Sequence, residues 1–292
     1  MAKNWALVIG INEYNRLNFT PLKYAKQDAE RVKAFFEAAG FERVFFFSDD
    51  SPRQALPNGT EIPTLATYGN LTAFLNRFFE RKCLETGDNF WFFFAGHGER
   101  YHGEDYLMPM DGSAISAEVN TGLKVNYVRE RLCRCGADNV ILILDACRSE
   151  GSRDGRGLGL EVQPGVITIT SCQPNHKSWE VDELQQGVFT YALLEALQLP
   201  GERSCATVER LGHYLNQRVP ELCQRYGKAP AQVPRIGADP IEKQHFILIP
   251  KYARQADLDL LKLDAYRLKD KTPALAEQIC IRLNALAPGR EH

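Results

Sequence analysis

The 292-residue chain has no apolar stretch near the ~20 residues that a membrane span requires, and residues 1–3 run straight into a strand-like segment without a signal-peptide h-region. The expectation is a cytoplasmic protein with no membrane partner. It also lacks a dominant charge: the formal net charge is −2 and the pI about 6.3, which leaves no basic footprint for nucleic acid. The eight cysteines, at 83, 133, 135, 147, 172, 205, 223 and 280, show no disulfide-framework spacing, as fits a reducing compartment. Cys133-Arg134-Cys135 is too tight for a C-x-x-C metal knuckle and has no second pair, so it reads as chance at a helix end, and no metal site is expected. Neither G-x-G-x-x-G nor G-x-x-x-x-G-K-[ST] follows a strand, which disfavours a nucleotide-binding flavodoxin-like domain. There is no internal repeat and no EF-hand-like loop; the acids at Asp49, Asp50, Asp182 and Glu183 are scattered, and calcium dependence stays open.

What is present is a pair of apolar runs, each ending in a reactive side chain. Phe90-Trp91-Phe92-Phe93-Phe94-Ala95 stops at Gly96-His97-Gly98, and Val140-Ile141-Leu142-Ile143-Leu144 stops at Asp145-Ala146-Cys147-Arg148-Ser149. Short unbroken apolar runs bounded by turn residues fit strands buried on both faces of a parallel sheet. If the two are neighbours, their carboxyl ends meet at the edge where open α/β sheets build their sites. A cysteine attacks as its thiolate, and an imidazole can hold it ionised or protonate the leaving group, so the pairing suits nucleophilic catalysis. Either residue alone is weak, since free cysteine is most often packing. Together they carry more: His97 lies fifty positions before Cys147, near the spacing of caspases.

Along the chain, Trp5 to Gly10 reads as strand one, Pro21 to Ala39 as an amphipathic helix, Val44 to Phe47 as strand two, and 49–68 as a Pro-, Gly- and Asn-rich insertion. A helix through Leu71 and Phe79 leads into the strand that ends at His97. Tyr106 to Pro109 is expected as a hairpin arm outside the main sheet, and Lys124 to Cys135 as the helix before the cysteine strand. Val166 to Thr170 reads as strand five, Phe189 to Leu197 and Cys205 to Tyr226 as helices, Phe246 to Ile249 as strand six, and Tyr252 to Leu268 and Pro273 to Leu286 as a helical hairpin. This alternation argues a doubly wound sheet. A chain of this length can bury about three quarters of its unfolded surface, so size does not limit the core.

FFFAGHG followed by ILILDACRS resembles the catalytic core of the caspase-like cysteine peptidases, and within them is most similar to the metacaspases and their prokaryotic relatives, the orthocaspases. The likeness extends from Trp5 to about Ile249. It implies an α/β, caspase-haemoglobinase-like three-layer sandwich: a mostly parallel six-stranded sheet with helices on both faces. Residues 1–250 would form the peptidase domain (p20-like 1–150, flexible linker 148–163, p10-like 164–250), with 251–292 a helical extension. It implies Cys147 as nucleophile, His97 as base and then acid, the backbone N–H groups of Gly98 and Cys147 as oxyanion donors, and a thioester acyl-enzyme. No cofactor is demanded, and a monomer is the expectation.

The pocket is the informative departure. Where the apoptotic caspases carry glutamine in Q-A-C-R-G, this sequence has Asp145 in D-A-C-R-S. Asp28 lies in the sheet-facing stripe of its helix, between Ala25 and Val32, where an unpaired carboxylate is costly; it matches the acidic residue of the metacaspase N-D-A segment, here Gln27-Asp28-Ala29. Two carboxylates favour arginine or lysine before the cleaved bond. At roughly 1.5–3 kcal/mol per charge-assisted hydrogen bond, two would favour Arg over a neutral residue by ~10²- to 10⁴-fold. The plainer readings are a salt-bridged or capping acid at Asp28 and a strand-end acid at Asp145. Ser171 and Ser178, with Trp179 beside the latter, resemble the family's substrate-edge segment, while Glu180 or Asp182 would meet a basic substrate residue; Cys172 reads as packing. Arg153 and Arg156, in the Gly- and Arg-rich stretch 148–160, become candidates for self-cleavage. The competing class is a catalytically silent caspase-like module that binds partners through its helical tail.

Overall fold

The computed structural model describes residues 3–15, 19–51, 53–56, 58–113, 121–148, 163–173, 177–199 and 205–286. The amino-terminal half runs β1 (Asn4–Gly10), α1 (Ala25–Ala38), β2 (Arg43–Ser48), a small hairpin β3 (Arg53–Ala55) and β4 (Glu61–Pro63), α2 (Tyr68–Phe78), β5 (Asn89–Tyr101), β6 (Glu104–Leu107), β7 (Leu123–Lys124) and α3 (Val125–Leu132). The rest runs β8 (Asn139–Arg148), β9 (Ile167–Thr170), β10 (Glu180–Val181), β11 (Gln186–Gly187), α4 (Val188–Gln198), α5 (Val208–Arg225), β12 (Arg235–Ala238), α6 (Gln255–Leu268) and α7 (Pro273–Leu286).

The sheet body has the order β12-β9-β8-β5-β1-β2, parallel throughout except for β12, which closes one edge antiparallel to β9. The alternation of side chains explains the unbroken apolar runs. Phe90, Phe92 and Phe94 enter a core with Leu71 and Phe74 of α2 and Val128 of α3, whereas Trp91 and Phe93 enter a second core with α1, α4 and α5. Three layers result, as expected.

Two expectations need correction. Phe246 to Ile249 is not a strand: Ile247 makes an isolated bridge to Thr207, and because both faces of this short run are apolar, Phe246 and Leu248 pack into one core and Ile247 into the core of the helical hairpin. The sixth strand is β12, whose sequence Arg-Ile-Gly-Ala carries no alternation to mark it. Likewise the arm at Tyr106 is part of the sheet, since β6 pairs with β5 beyond Gly98 and with β7.

α6 and α7 form the expected hairpin around Leu261, Leu268, Ile279 and Leu283. It is fastened to the body by Arg210, 2.6 Å from Asp257, and by Arg282, which donates to the Ile247 carbonyl at 2.8 Å and lies over the Phe246 ring.

Helix α1 approaches β1 at Gly10, where an added Cβ would stand 2.4 Å from the Ala29 Cβ and 2.8 Å from the Ala25 carbonyl. Gly10→Val is therefore expected to cost about 1–3 kcal/mol or more by overpacking, read as a fall in the urea midpoint. Gly69→Ala, at an open helical position, should be neutral or stabilising by about 0.5–1 kcal/mol; equal midpoints for the two variants would refute the close approach.

Candidate active site

The register of β5 against β8 is continuous over ten pairs, from Asn89↔Asn139 to Gly98↔Arg148, and it sets His97 directly opposite Cys147 and Ala95 opposite Asp145. Neighbouring strands lie about 4.8 Å apart, so the backbone alone brings the two residues together.

His97 sits where the ladder changes hands. β1 pairs with β5 only as far as Gly10↔Ala95, and β6 begins at Gly98↔Leu107. In the gap, the His97 N–H donates to the Tyr14 hydroxyl at 2.8 Å, and the His97 carbonyl accepts from Met108 N–H at 3.0 Å. Gly96 makes room for this: a Cβ there would fall 2.4 Å from the Tyr14 oxygen. The imidazole is 2 % exposed, stacked on Phe19 with centroids 5.3 Å apart and edge-on to Tyr14 at 4.7 Å. Its Nε2 is 2.7 Å from the Thr20 carbonyl, which can only accept. The proton of the neutral ring is therefore on Nε2, and Nδ1, buried and without a partner among the described residues, is the basic nitrogen. Burial lowers the His97 pKa, opposed by the Thr20 carbonyl, so the ring is neutral at physiological pH.

The two acids converge. A Cβ on Gly187 would lie 2.8 Å from Asp28 Oδ2 and 3.1 Å from Asp145 Oδ2. Asp28 accepts from Gly187 N–H at 2.9 Å and from the Gln186 amide at 3.2 Å; Asp145 accepts from Ser178 Oγ at 2.8 Å and Thr190 Oγ1 at 2.7 Å. Both carboxylates thus sit at the amino end of α4, where its partial positive charge helps to hold them. Every donor to them among the described residues is neutral, and both groups are buried, so burial and the Asp145 charge push Asp28 well above the ordinary carboxylate range, against the Gly187 and Gln186 donors. Asp145 is also raised by burial, with Thr190, Ser178 and Ser171 pulling it back. The Ser171 hydroxyl stands beside Asp145 without completing a hydrogen bond. Gln232 braces this wall, donating to the Ser171 carbonyl at 2.8 Å and to Ser178 Oγ at 3.0 Å. Asp28, Asp145, Ser178, Trp179 and Gly96 line one small cleft.

Glu180 borders the same cleft as the acid pair, and its carboxylate and that of Asp182 also bind the chain just before α1. Glu180 accepts the N–H groups of Lys23 and Tyr24 at the start of α1, and Asp182 holds Lys23 Nζ at 3.0 Å and the Tyr24 hydroxyl at 2.9 Å. Cys172 is buried. Arg153 and Arg156 lie outside the described residues. Among the described residues no group of three His, Cys, Asp or Glu side chains could hold a metal ion, and no helix is long and apolar enough to cross a membrane.

Sequence reasoning missed Thr20, Tyr14, Gln186, Gly187, Thr190 and Gln232. Thr20 acts through its carbonyl and Gly187 through its N–H, which leave no side-chain signature. Tyr14 stood in a polar loop with no periodicity to mark it.

A parallel sheet whose carboxyl edge brings a histidine, a cysteine and a buried acid pair together has the architecture of a caspase-like cysteine peptidase. The profile of the caspase domain family matches residues 3–246, and the chain belongs to that family, a family of cysteine peptidases. A probable protease of a Desulfuromonadales bacterium is 28 % identical over 221 residues, 68 % of this chain; the chain spans about a quarter (26 %) of that protein's length. The crystal structure of a Geobacter sulfurreducens protein is similar with a TM-score of 0.56 at 17 % identity, covering 80 % of this chain and 92 % of that one, a likeness of fold alone.

A raised carboxyl pKa means that the folded protein binds more protons than the unfolded chain between the unfolded value and the folded one, so Asp28 makes stability fall as pH rises through that window. Asp28→Asn should therefore raise the Tm at pH 8 relative to wild type, with the gap closing as pH is lowered toward 4. A gap independent of pH in thermal scans would refute the buried charge.

Proposed function

We propose that this chain is a metacaspase-type cysteine endopeptidase that cleaves after arginine, and less well after lysine. The observation carrying this reading is that two buried carboxylates, whose donors among the described residues are all neutral, face one cleft beside the His97↔Cys147 pair. A buried like-charged pair is costly without a cation. A substrate guanidinium supplies one, with donors in a planar fork that can serve both acids; an ammonium supplies a point charge and fits less well.

In this mechanism Nδ1 of His97 takes the Cys147 proton and the thiolate attacks the scissile carbonyl carbon. The N–H groups of Gly98 and Cys147 receive the developing oxyanion. The imidazolium then protonates the departing amine, leaving a thioester, which water opens with His97 again as base. Ser178 lines the arginine pocket with Asp28 and Asp145, and Ser171 supports Asp145 from within. Substrates are peptides or proteins bearing Arg or Lys, and the chain acts as a monomer without a cofactor, in the cytoplasm. Cleavage after Arg153 or Arg156 by the same site would be self-processing.

The test is hydrolysis of fluorogenic Arg, Lys and Asp peptides. The expected order is Arg above Lys, with no turnover of Asp, and none of any peptide by Cys147→Ala, whose purified chain should stay intact. Asp28→Asn should lower kcat/KM for Arg by ~10- to 10²-fold, the loss of one charge-assisted hydrogen bond. In wild type, kcat/KM should rise with pH as Asp28 ionises, since its raised pKa leaves it neutral in acid; the variant should lose that rise. Absence of Arg turnover, or equal turnover of Asp, would overturn the reading.

A further inference from the structure

The seam between α1 and α4 does not close behind the acid pair. Past Gln186 it opens into a groove of about 910 Å³, within the range of small-molecule sites. The same two helices wall both spaces: Ala25 and Asp28 of α1 and Gly187 before α4 line the acid cleft, while Ala34, Phe35, Tyr191 and Leu194 line the groove, with Leu248 and Tyr252 opposite. Gln186 borders the groove and donates to Asp28, so one side chain separates the two.

Among the described residues the charged side chains of the groove are Arg31 and Glu195. Glu195 already receives the fork of Arg218, at 2.8 and 3.1 Å. Arg31 stands apart from the other cations of its helix: Lys26 reaches Glu30 and Asp50, and Lys33 reaches Glu37 at 3.7 Å. The partner of Arg31 among the described residues is the uncharged Gln27 amide, 3.1 Å away when that amide is turned toward it. A guanidinium without a counter-charge at an apolar, aromatic groove is complementary to a molecule with an apolar body and a carboxylate head.

We propose that the α1/α4 groove binds a small amphiphilic carboxylate, with its head on Arg31 and its body against Phe35, Tyr191 and Leu194, and that its presence bears on the acid cleft through Gln186. The coupling rests on the arginine reading of that cleft; the binding does not.

The probe is decanoate below its micellar range, titrated into the full chain by calorimetry, beside decanol and decyltrimethylammonium. Saturable one-to-one binding of decanoate is expected, at least tenfold tighter than the cation. Arg31→Gln should weaken decanoate at least tenfold, and Ala34→Trp, which fills the groove from an exposed position, should abolish binding. Equal affinity for the three head groups, or binding untouched by Ala34→Trp, would overturn the site. Saturating decanoate should also move KM for the Arg peptide at least threefold in wild type and leave it fixed in Ala34→Trp. An unmoved KM would overturn the coupling alone, and the calorimetry reads the same whether or not Arg peptides are cleaved.

Discussion

The pairing register of β5 with β8 is the constraint on which the rest depends. Because side chains alternate along a strand, a slip of one residue would send each to the opposite face. Here such a slip would move Phe90, Phe92 and Phe94 from one core to the other and leave His97 opposite a residue other than Cys147. The phenylalanine-rich packing and the pairing of His97 with Cys147 are thus one specification. Both residues are delivered to a sheet edge whose register the whole core enforces.

The acid pair adds a second constraint that works against stability. Asp28 reaches the edge from α1 and Asp145 from β8, and what keeps both carboxylates in place is the start of α4 with its N–H and hydroxyl donors. Among the described residues none of these donors carries a full charge, and burial raises the pKa of both carboxyl groups. Glu180 and Asp182 act differently: they tie the β10–β11 hairpin to Lys23 and Tyr24, just before α1, which fixes the start of the helix that carries Asp28.

The sheet, its three layers and the helical hairpin were legible because their signals are periodic: all-apolar runs for strands buried twice, three-and-four spacing for helices. The pairing of His97 with Cys147 at a sheet edge and the inward position of Asp28 and Asp145 were legible because each residue follows a strand-like run or interrupts an apolar stripe. The edge strand β12 was not, since four residues with a glycine carry no period, while the apolar Phe246 to Ile249 carried a period that packing used otherwise. Thr20, Gly187 and Gln186 escaped for a different reason. They serve through backbone groups or through an amide aimed by the fold, and such roles exist only once distant segments have met.

The interval between the end of β1 and the start of β6 shows how the fold selects a proton position. A strand edge left unpaired for two residues would expose the His97 N–H and leave the ring free to turn. Tyr14 closes the gap with its hydroxyl, Gly96 allows it to come near, and the chain just beyond carries Phe19 against the ring face and the Thr20 carbonyl to Nε2. With Nε2 committed as a donor, the lone pair of the neutral ring can only be on Nδ1. Burial then keeps the ring uncharged, so the basic nitrogen is available without a preceding deprotonation. The tautomer is set by a main-chain carbonyl in the loop after β1, and the strand exchange that makes room for it also fixes the direction from which a proton can arrive.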